Sequence, residues 1–200
     1  MEKLQKNSDL FEDQRLKSLI ELYTTFYPKL FILETLLKSK LVAIIRLNVD
    51  KNWFEFQISQ NDRLGLINDE LEIMSKRKDK KILLNSENLI NEASFGFWVE
   101  FFNRGVYKEL KGIPIKIFVN RPTHLKRKGV YSKLFEIKEL RNVIYHHSNI
   151  FNTTLSEYKN FIKKLEELNE NINQFILMLE PSASRLFDDK KFTKVIKKLN

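Results

Sequence analysis

Arg141, Asn142 and His146 have the residue types and the spacing that cleavage of a phosphodiester requires. On a helix, positions 142 and 146 share one face, and position 141 lies one place around. Histidine exchanges protons near neutral pH, which suits a general base or acid. Arginine is always charged and can bind two phosphate oxygens at once. Together these residues could cut RNA without a metal, with Asn142 fixing the imidazole tautomer or donating to the phosphate.

The same residues also fit a structural interpretation. Arg141 could pair with Glu136 or Glu139, Asn142 could cap locally, and the two adjacent histidines could lie at a helix end, where the helix dipole favours a cation. The two histidines cannot both point the same way, so one can serve a site while the other packs or faces solvent. No third ligand stands at metal-binding spacing, and no phosphate-binding glycine loop is present. The sequence therefore predicts no metal and no cofactor.

A basic block leads into these residues. Residues 121–141 carry seven basic side chains against two acidic ones, within a chain of net charge +9. Such a block is typical of nucleic-acid contact. The side chains predicted to contact RNA are Arg121, Lys126, Arg127, Lys128 and His147. Codon bias is the alternative, because 26 of the 35 basic residues are Lys and 18 further residues are Asn.

The elements that must position this site are two helices. The sequence predicts one helix over residues 131–145. A second begins at the capping box of Thr154 and Glu157, carries an apolar stripe with a period of three to four residues, and ends before Pro181. A connection of about seven residues predicts that the two helices pack antiparallel.

The rest of the chain shows mostly helical patterns. A capping box at Asp9 predicts a first helix to about Leu22, and Pro28 predicts the first turn of a second helix that continues to about Ile45. Further predicted elements are a loop or extended segment at 53–56, a third helix at 63–78, a fourth from Ser86 to Gly105, an irregular insertion around 106–130 with a short strand at 113–119, and a short basic helix at 188–200.

Composition sets the fold class and the compartment. Five Gly and four Pro in 200 residues are too few for a turn-rich all-β protein, so we predict a mainly α protein forming a single domain over residues 1–200. Its core should span about 9–180, with a short basic tail at 181–200. No apolar run is long enough to cross a bilayer, and no secretory signal is visible. The absence of cysteine suits a reducing compartment, and we predict a cytoplasmic protein without membrane attachment.

Three segments resemble the Abi-like (abortive infection) proteins of bacteria, which defend against phage. Residues 140–152 resemble the family's Arg-Asn-x-x-x-His-His…Ile-Phe segment and also fit the wider HEPN signature of Arg, a polar residue and His. Residues 27–38 resemble its N-terminal helix, with an apolar pattern around a Glu, and residues 93–99 resemble its Ser-Phe-Gly-Phe-Trp segment. The chain departs from the family at Lys38-Ser39, where members commonly have Arg-Asn.

The resemblance implies a HEPN-like helical bundle, often dimeric, in which two Arg–His sets share one cleft. It implies an endoribonuclease toxin that is restrained until phage infection, with a small regulatory RNA or an antitoxin as a further partner. Arg141, Asn142 and His146 would then be catalytic. Two alternatives stay open: a non-catalytic RNA-binding member of the family, and a helical dimerisation or regulatory protein whose basic surface reflects codon bias.

Overall fold

The computed structural model describes residues 2–60, 65–78, 85–145 and 155–199, and every regular element within these ranges is a helix. The predicted mainly α class is therefore confirmed. The elements are α1 (Glu2–Asn48), α2 (Trp53–Gln60), α3 (Leu66–Lys78), α4 (Ser86–Glu92), α5 (Phe95–Glu100), α6 (Arg104–Glu109), a 3-10 helix (Ile113–Ile117), α7 (Arg127–Tyr145), α8 (Leu155–Leu179), a second 3-10 helix (Pro181–Leu186) and α9 (Lys190–Leu199).

Helix α1 continues through Pro28, so the prediction of two separate helices with Pro28 opening the second is wrong. A proline inside a helix removes a backbone hydrogen bond and costs about 3 kcal/mol. The apolar spacing is nevertheless uninterrupted across it. The buried side chains are Leu19, Leu22, Phe26, Leu30, Leu33, Leu37, Leu41 and Ile45. Each buried Leu or Phe contributes about 1.5–3 kcal/mol, and this burial offsets the missing bond.

The aromatic residues that follow α1 lie in helix α2, where the sequence predicted a loop or an extended segment. Trp53 and Phe54 are buried and meet edge-on, with ring centroids 5.0 Å apart. Both rings also pack against Phe101, at centroid distances of 5.9 and 6.4 Å. A helix of eight residues is too short to show a clear helical period, so its conformation is set by this packing.

The predicted fourth helix is divided into α4, α5 and α6. Ala93 and Ser94 are both extended, with ψ of 142° and 159°, and the Ser94 hydroxyl caps α5. Gly105 does not end a helix; it lies inside α6, whose N-cap is Asn103. The polar residues Ser94 and Asn103 bind helix N–H groups, and these local caps start new helices within one apolar stretch.

Residues 106–130 were predicted to be an irregular insertion with a short strand at 113–119, and the strand prediction is wrong. The segment contains the end of α6 and the first 3-10 helix, and only residues 118–126 between that helix and α7 lie outside regular helix. Gly112 adopts a left-handed φ of 78°, and Pro114 stands in the first turn of the 3-10 helix. The alternation of Ile113, Ile115 and Ile117 resembles a strand, but a proline within the run disfavours one.

Helices α7 and α8 pack against each other. Lys133 in the first half of α7 donates to Asn171 in the second half of α8, and Glu136 and Glu167 line the same groove. This is the contact expected of an antiparallel pair. The predicted α8 stripe is also buried in the described part of the helix, at Leu165, Leu168, Ile172, Phe175 and Leu179.

A buried lysine ties the carboxyl-terminal segment to α1 and α8. The Lys29 side chain is only 2% exposed, and its Nζ donates to Asn169 Oδ1 at 2.6 Å and to Asp189 Oδ1. It also lies 5.5 and 5.4 Å from the ring centroids of Phe187 and Phe192. The apolar side of the predicted basic tail helix is therefore fixed against α1, and the buried apolar residues form one cluster. Among the described helices, none combines the length and the apolar character needed to cross a membrane.

We predict that Asp189→Asn lowers the free energy of unfolding by about 2 kcal/mol, because it leaves the buried Lys29 ammonium without its counter-charge. The expected loss lies below that of a fully buried pair, since the Asp189 side chain is 43% exposed. Asp188→Asn is the matched control: Asp188 accepts from the Lys190 backbone N–H, and Asn caps as well as Asp. Urea unfolding midpoints measure both, and equal midpoints for the two variants would contradict this account.

Candidate active site

A cleft of about 300 Å³ opens between α3, the start of α5 and the second half of α7. It contains Arg141 and Asn142, two of the residues predicted to be catalytic. The polar and charged side chains that line it are Asp69, Glu70, Ser94, Glu100, Lys138, Arg141 and Asn142. A volume of this size is at the lower end of small-ligand sites, and it could hold one or two groups of a larger substrate.

Helix α7 presents three of these residues on one face, because Lys138, Arg141 and Asn142 are spaced by three and four positions. All three are partly exposed. The core-facing side of the same helix is apolar, and its buried residues are Val130, Leu134, Ile137, Leu140 and Ile144. Burial of that stripe fixes the rotation of α7, so it also fixes which residues face the cleft.

Arg141 lies beside an acidic residue of α1. Its Nη2 is 3.7 Å from Glu34 Oε2, and the two side chains are 25% and 29% exposed. The sequence left open a pairing with Glu136 or Glu139, and Glu139 instead lies 3.3 Å from Lys138. The Glu34 partner was not predicted, because contacts between distant parts of a chain leave no local pattern.

Glu70 was also missed, although it is one of the most buried charged residues. It is 3% exposed, and its carboxylate accepts from the Ser94 backbone N at 2.6 Å and from the Ser94 hydroxyl at 3.0 Å. Glu70 therefore holds the residue that caps α5 and fixes that end of the cleft. A signal was present: Glu70 stands between Ile67 and Met74 on the face of α3 that is otherwise buried.

The opposite side of the cleft is formed by Glu100 and Gly96. Glu100 accepts from the Tyr131 hydroxyl at 3.1 Å and from Asn103 Nδ2 at 2.8 Å, so it joins α5 to α7. Burial, together with the charge of Glu100, raises the pKa of Tyr131 above its usual value. A Cβ at Gly96 would lie 3.4 Å from Lys138 Cδ, so the absence of a side chain leaves room for that lysine.

The charge of the cleft is mixed. Lys138 and Arg141 face the carboxylates of Asp69, Glu70 and Glu100, and Glu34 lies next to the guanidinium. Such a site does not attract an anion through a broad positive field. A phosphate bound here would depend on directed hydrogen bonds from Arg141 and Asn142, and it would compete with Glu34 for Arg141. Among the described residues, no group of three or more His, Asp and Glu side chains could hold a metal ion.

The predicted histidines, His146 and His147, lie outside the described residues. The four other predicted RNA contacts stand at or before the opposite end of α7. Lys126 and Lys128 are exposed, whereas Arg127 donates to the Phe102 carbonyl at 2.7 Å and Arg121 donates to the Leu125 carbonyl. At 1.5 Å per residue, Lys128 and Arg141 are about 20 Å apart along the helix, so these cations are not adjacent to the motif.

The three segments that carry the Abi-like resemblance meet at this cleft. Glu34 belongs to the first segment, Ser94 and Gly96 to the second, and Arg141 and Asn142 to the third. They are far apart in the sequence, so their meeting is a property of the fold. No protein-family model matches the chain, and comparisons with curated proteins and with solved structures also give no match.

We predict that Glu70→Gln lowers the free energy of unfolding by about 1–2 kcal/mol, because the amide cannot accept from both donors of Ser94. Asp69→Asn is a control in the same cleft and on the same helix; Asp69 is exposed, and its replacement should cost less than about 0.5 kcal/mol. Thermal and urea unfolding of both variants measure the difference. A Glu70→Gln protein as stable as Asp69→Asn would show that Glu70 does not fix α5.

Proposed function

We propose that this protein is a metal-independent endoribonuclease that acts in the cytoplasm in abortive infection, with Arg141, Asn142 and His146 at its catalytic centre. The observation that carries the proposal is the meeting of the three Abi-like segments at one open cleft, with Arg141 and Asn142 on its wall. RNA is the substrate, and a small regulatory RNA or an antitoxin is the partner that restrains the enzyme.

In the proposed reaction, the 2′-hydroxyl of the RNA attacks the adjacent phosphorus. His146 takes the proton of that hydroxyl, and the P–O5′ bond breaks to leave a 2′,3′-cyclic phosphate and a 5′-hydroxyl. Arg141 stabilises the charge that builds on the phosphate oxygens as the attack proceeds. Asn142 orients the imidazole or donates to the same phosphate.

The leaving 5′-oxygen needs a proton, and one histidine cannot act as base and acid in the same step. We propose that a second copy of the chain supplies the acid, in a homodimer with the two motif helices facing each other across a two-fold axis. Each protomer then contributes one Arg–His set to a shared cleft. The partly exposed face of α7 that carries Lys138, Arg141 and Asn142 is the surface that this dimer would cover.

We predict that Arg141→Ala and His146→Ala each reduce the rate of RNA cleavage in EDTA by at least about 100-fold. Arg141→Lys should lose most of the rate, because an ammonium cannot reproduce the bidentate contact. His147→Ala should cost less than about tenfold, since only one of two adjacent histidines can face the cleft. Cleavage of a labelled RNA measures the rates, with thermal melts as the folding control. Wild-type rates for both histidine variants would exclude this site.

A second prediction concerns the predicted RNA contacts at the start of α7. Lys126 and Lys128 are exposed, so replacing both with Gln should leave the fold intact and lower the slope of log K against log salt by about 1.4, or about 0.7 for each single-strand phosphate contact. Arg127→Gln is a poor test, because the guanidinium binds the Phe102 carbonyl and its loss would destabilise the fold. Fluorescence anisotropy with labelled RNA gives the slope, and an unchanged slope favours codon bias.

A further inference from the structure

Helix α9 is basic and amphipathic, with five lysines and no acidic residue in ten positions. Its apolar side is buried against α1, where Phe192 meets Phe26 edge-on at a centroid distance of 5.5 Å, and Val195 and Ile196 are also buried. A helix that inserts into a membrane surface needs an apolar face that is free to insert. The apolar face of α9 is already used within the protein, so only its charged side faces outward.

The lysines of α9 fall into two groups. Lys198 donates to Glu21 Oε2 at 2.9 Å, and Lys191 donates to the Thr24 hydroxyl at 3.3 Å, so both lean onto α1. The outward group lines a shallow exposed groove and consists of Lys190, Lys194 and Lys197. Their spacing of four and three residues places them in one row, about 6 and 4.5 Å apart along the helix axis.

The two aspartates in that groove are held by other groups. Asp188 accepts from the Lys190 backbone N at 2.9 Å, and Asp189 binds the Lys29 ammonium and Asn173 Nδ2. The surroundings are electropositive as a result. The hydrogen bond from Lys198 lowers the pKa of Glu21, and the charges of the lysines on α9 act in the same direction.

We propose that Lys190, Lys194 and Lys197 form a second RNA-binding surface that contacts successive phosphates of a single strand. Such a row binds phosphates without reading base sequence. The choice of RNA as the polymer rests on the proposed function, but the binding does not depend on cleavage. The α9 lysines contact α1 near Glu21, and the cleft contacts it at Glu34. These points are about 20 Å apart along α1, a distance of roughly six phosphates at 3.4 Å each.

The test variant replaces Lys190, Lys194 and Lys197 with Gln. The matched control replaces three exposed lysines of α8, Lys159, Lys163 and Lys164, so both variants lose the same charge. The probe is a fluorescein-labelled single strand of 2′-O-methyl RNA, which lacks the 2′-hydroxyl needed for cleavage. Anisotropy titrations between about 50 and 200 mM salt give the slope of log K against log salt. Because the strand cannot be cut, the measurement stays interpretable even if the ribonuclease proposal fails.

We expect the α9 variant to lose about two units of slope, at about 0.7 for each contact, while the α8 variant keeps most of the wild-type slope. A DNA strand of the same sequence should show the same difference, because the contacts are to phosphates. Equal slopes for the two variants would overturn the proposal, since net charge alone would then explain binding. Loss of binding to anionic phosphatidylserine vesicles with an unchanged RNA slope would also overturn it, in favour of a membrane surface.

Discussion

Burial of one uninterrupted face of α1 is the interaction on which the other elements depend. Its apolar residues are spaced by three and four positions from Leu19 to Ile45, and α8, α9 and the first 3-10 helix all contact this helix. The missing hydrogen bond at Pro28 costs about as much as one or two buried leucines contribute. Because eight such side chains are buried, the packing determines the local conformation and the helix stays continuous.

The same helix reaches the candidate active site with a polar residue. Glu34 lies next to the buried positions 33 and 37 on α1, and its carboxylate stands 3.7 Å from Arg141. On the other side of the cleft, Glu70 fixes Ser94, and Ser94 caps α5. The cleft therefore depends on two long-range contacts of carboxylates, one at a partly exposed arginine and one at a buried helix cap.

The long helices could be predicted from the sequence, because α7 and α8 each carry several turns of a clear apolar period. The short ones could not. Helices α2 and α6 and the first 3-10 helix are too short to show a period, and their conformation depends on caps such as Asn103 and on packing. Arg141 and Asn142 could be identified from residue type and spacing alone. Their partners Glu34 and Glu70 could not, since each joins parts of the chain that are distant in sequence.

The chemical nature of the RNA ends produced by the purified protein tests the central claim most directly. Total cellular RNA would be incubated with the protein in EDTA, and the new ends would be mapped and identified. Attack by the 2′-hydroxyl predicts 2′,3′-cyclic phosphate or 3′-phosphate ends opposite 5′-hydroxyl ends, because no water or metal-bound hydroxide enters the first step. New 5′-phosphate and 3′-hydroxyl ends, or no cleavage at all, would contradict the assignment of Arg141 and His146 as a metal-independent ribonuclease centre.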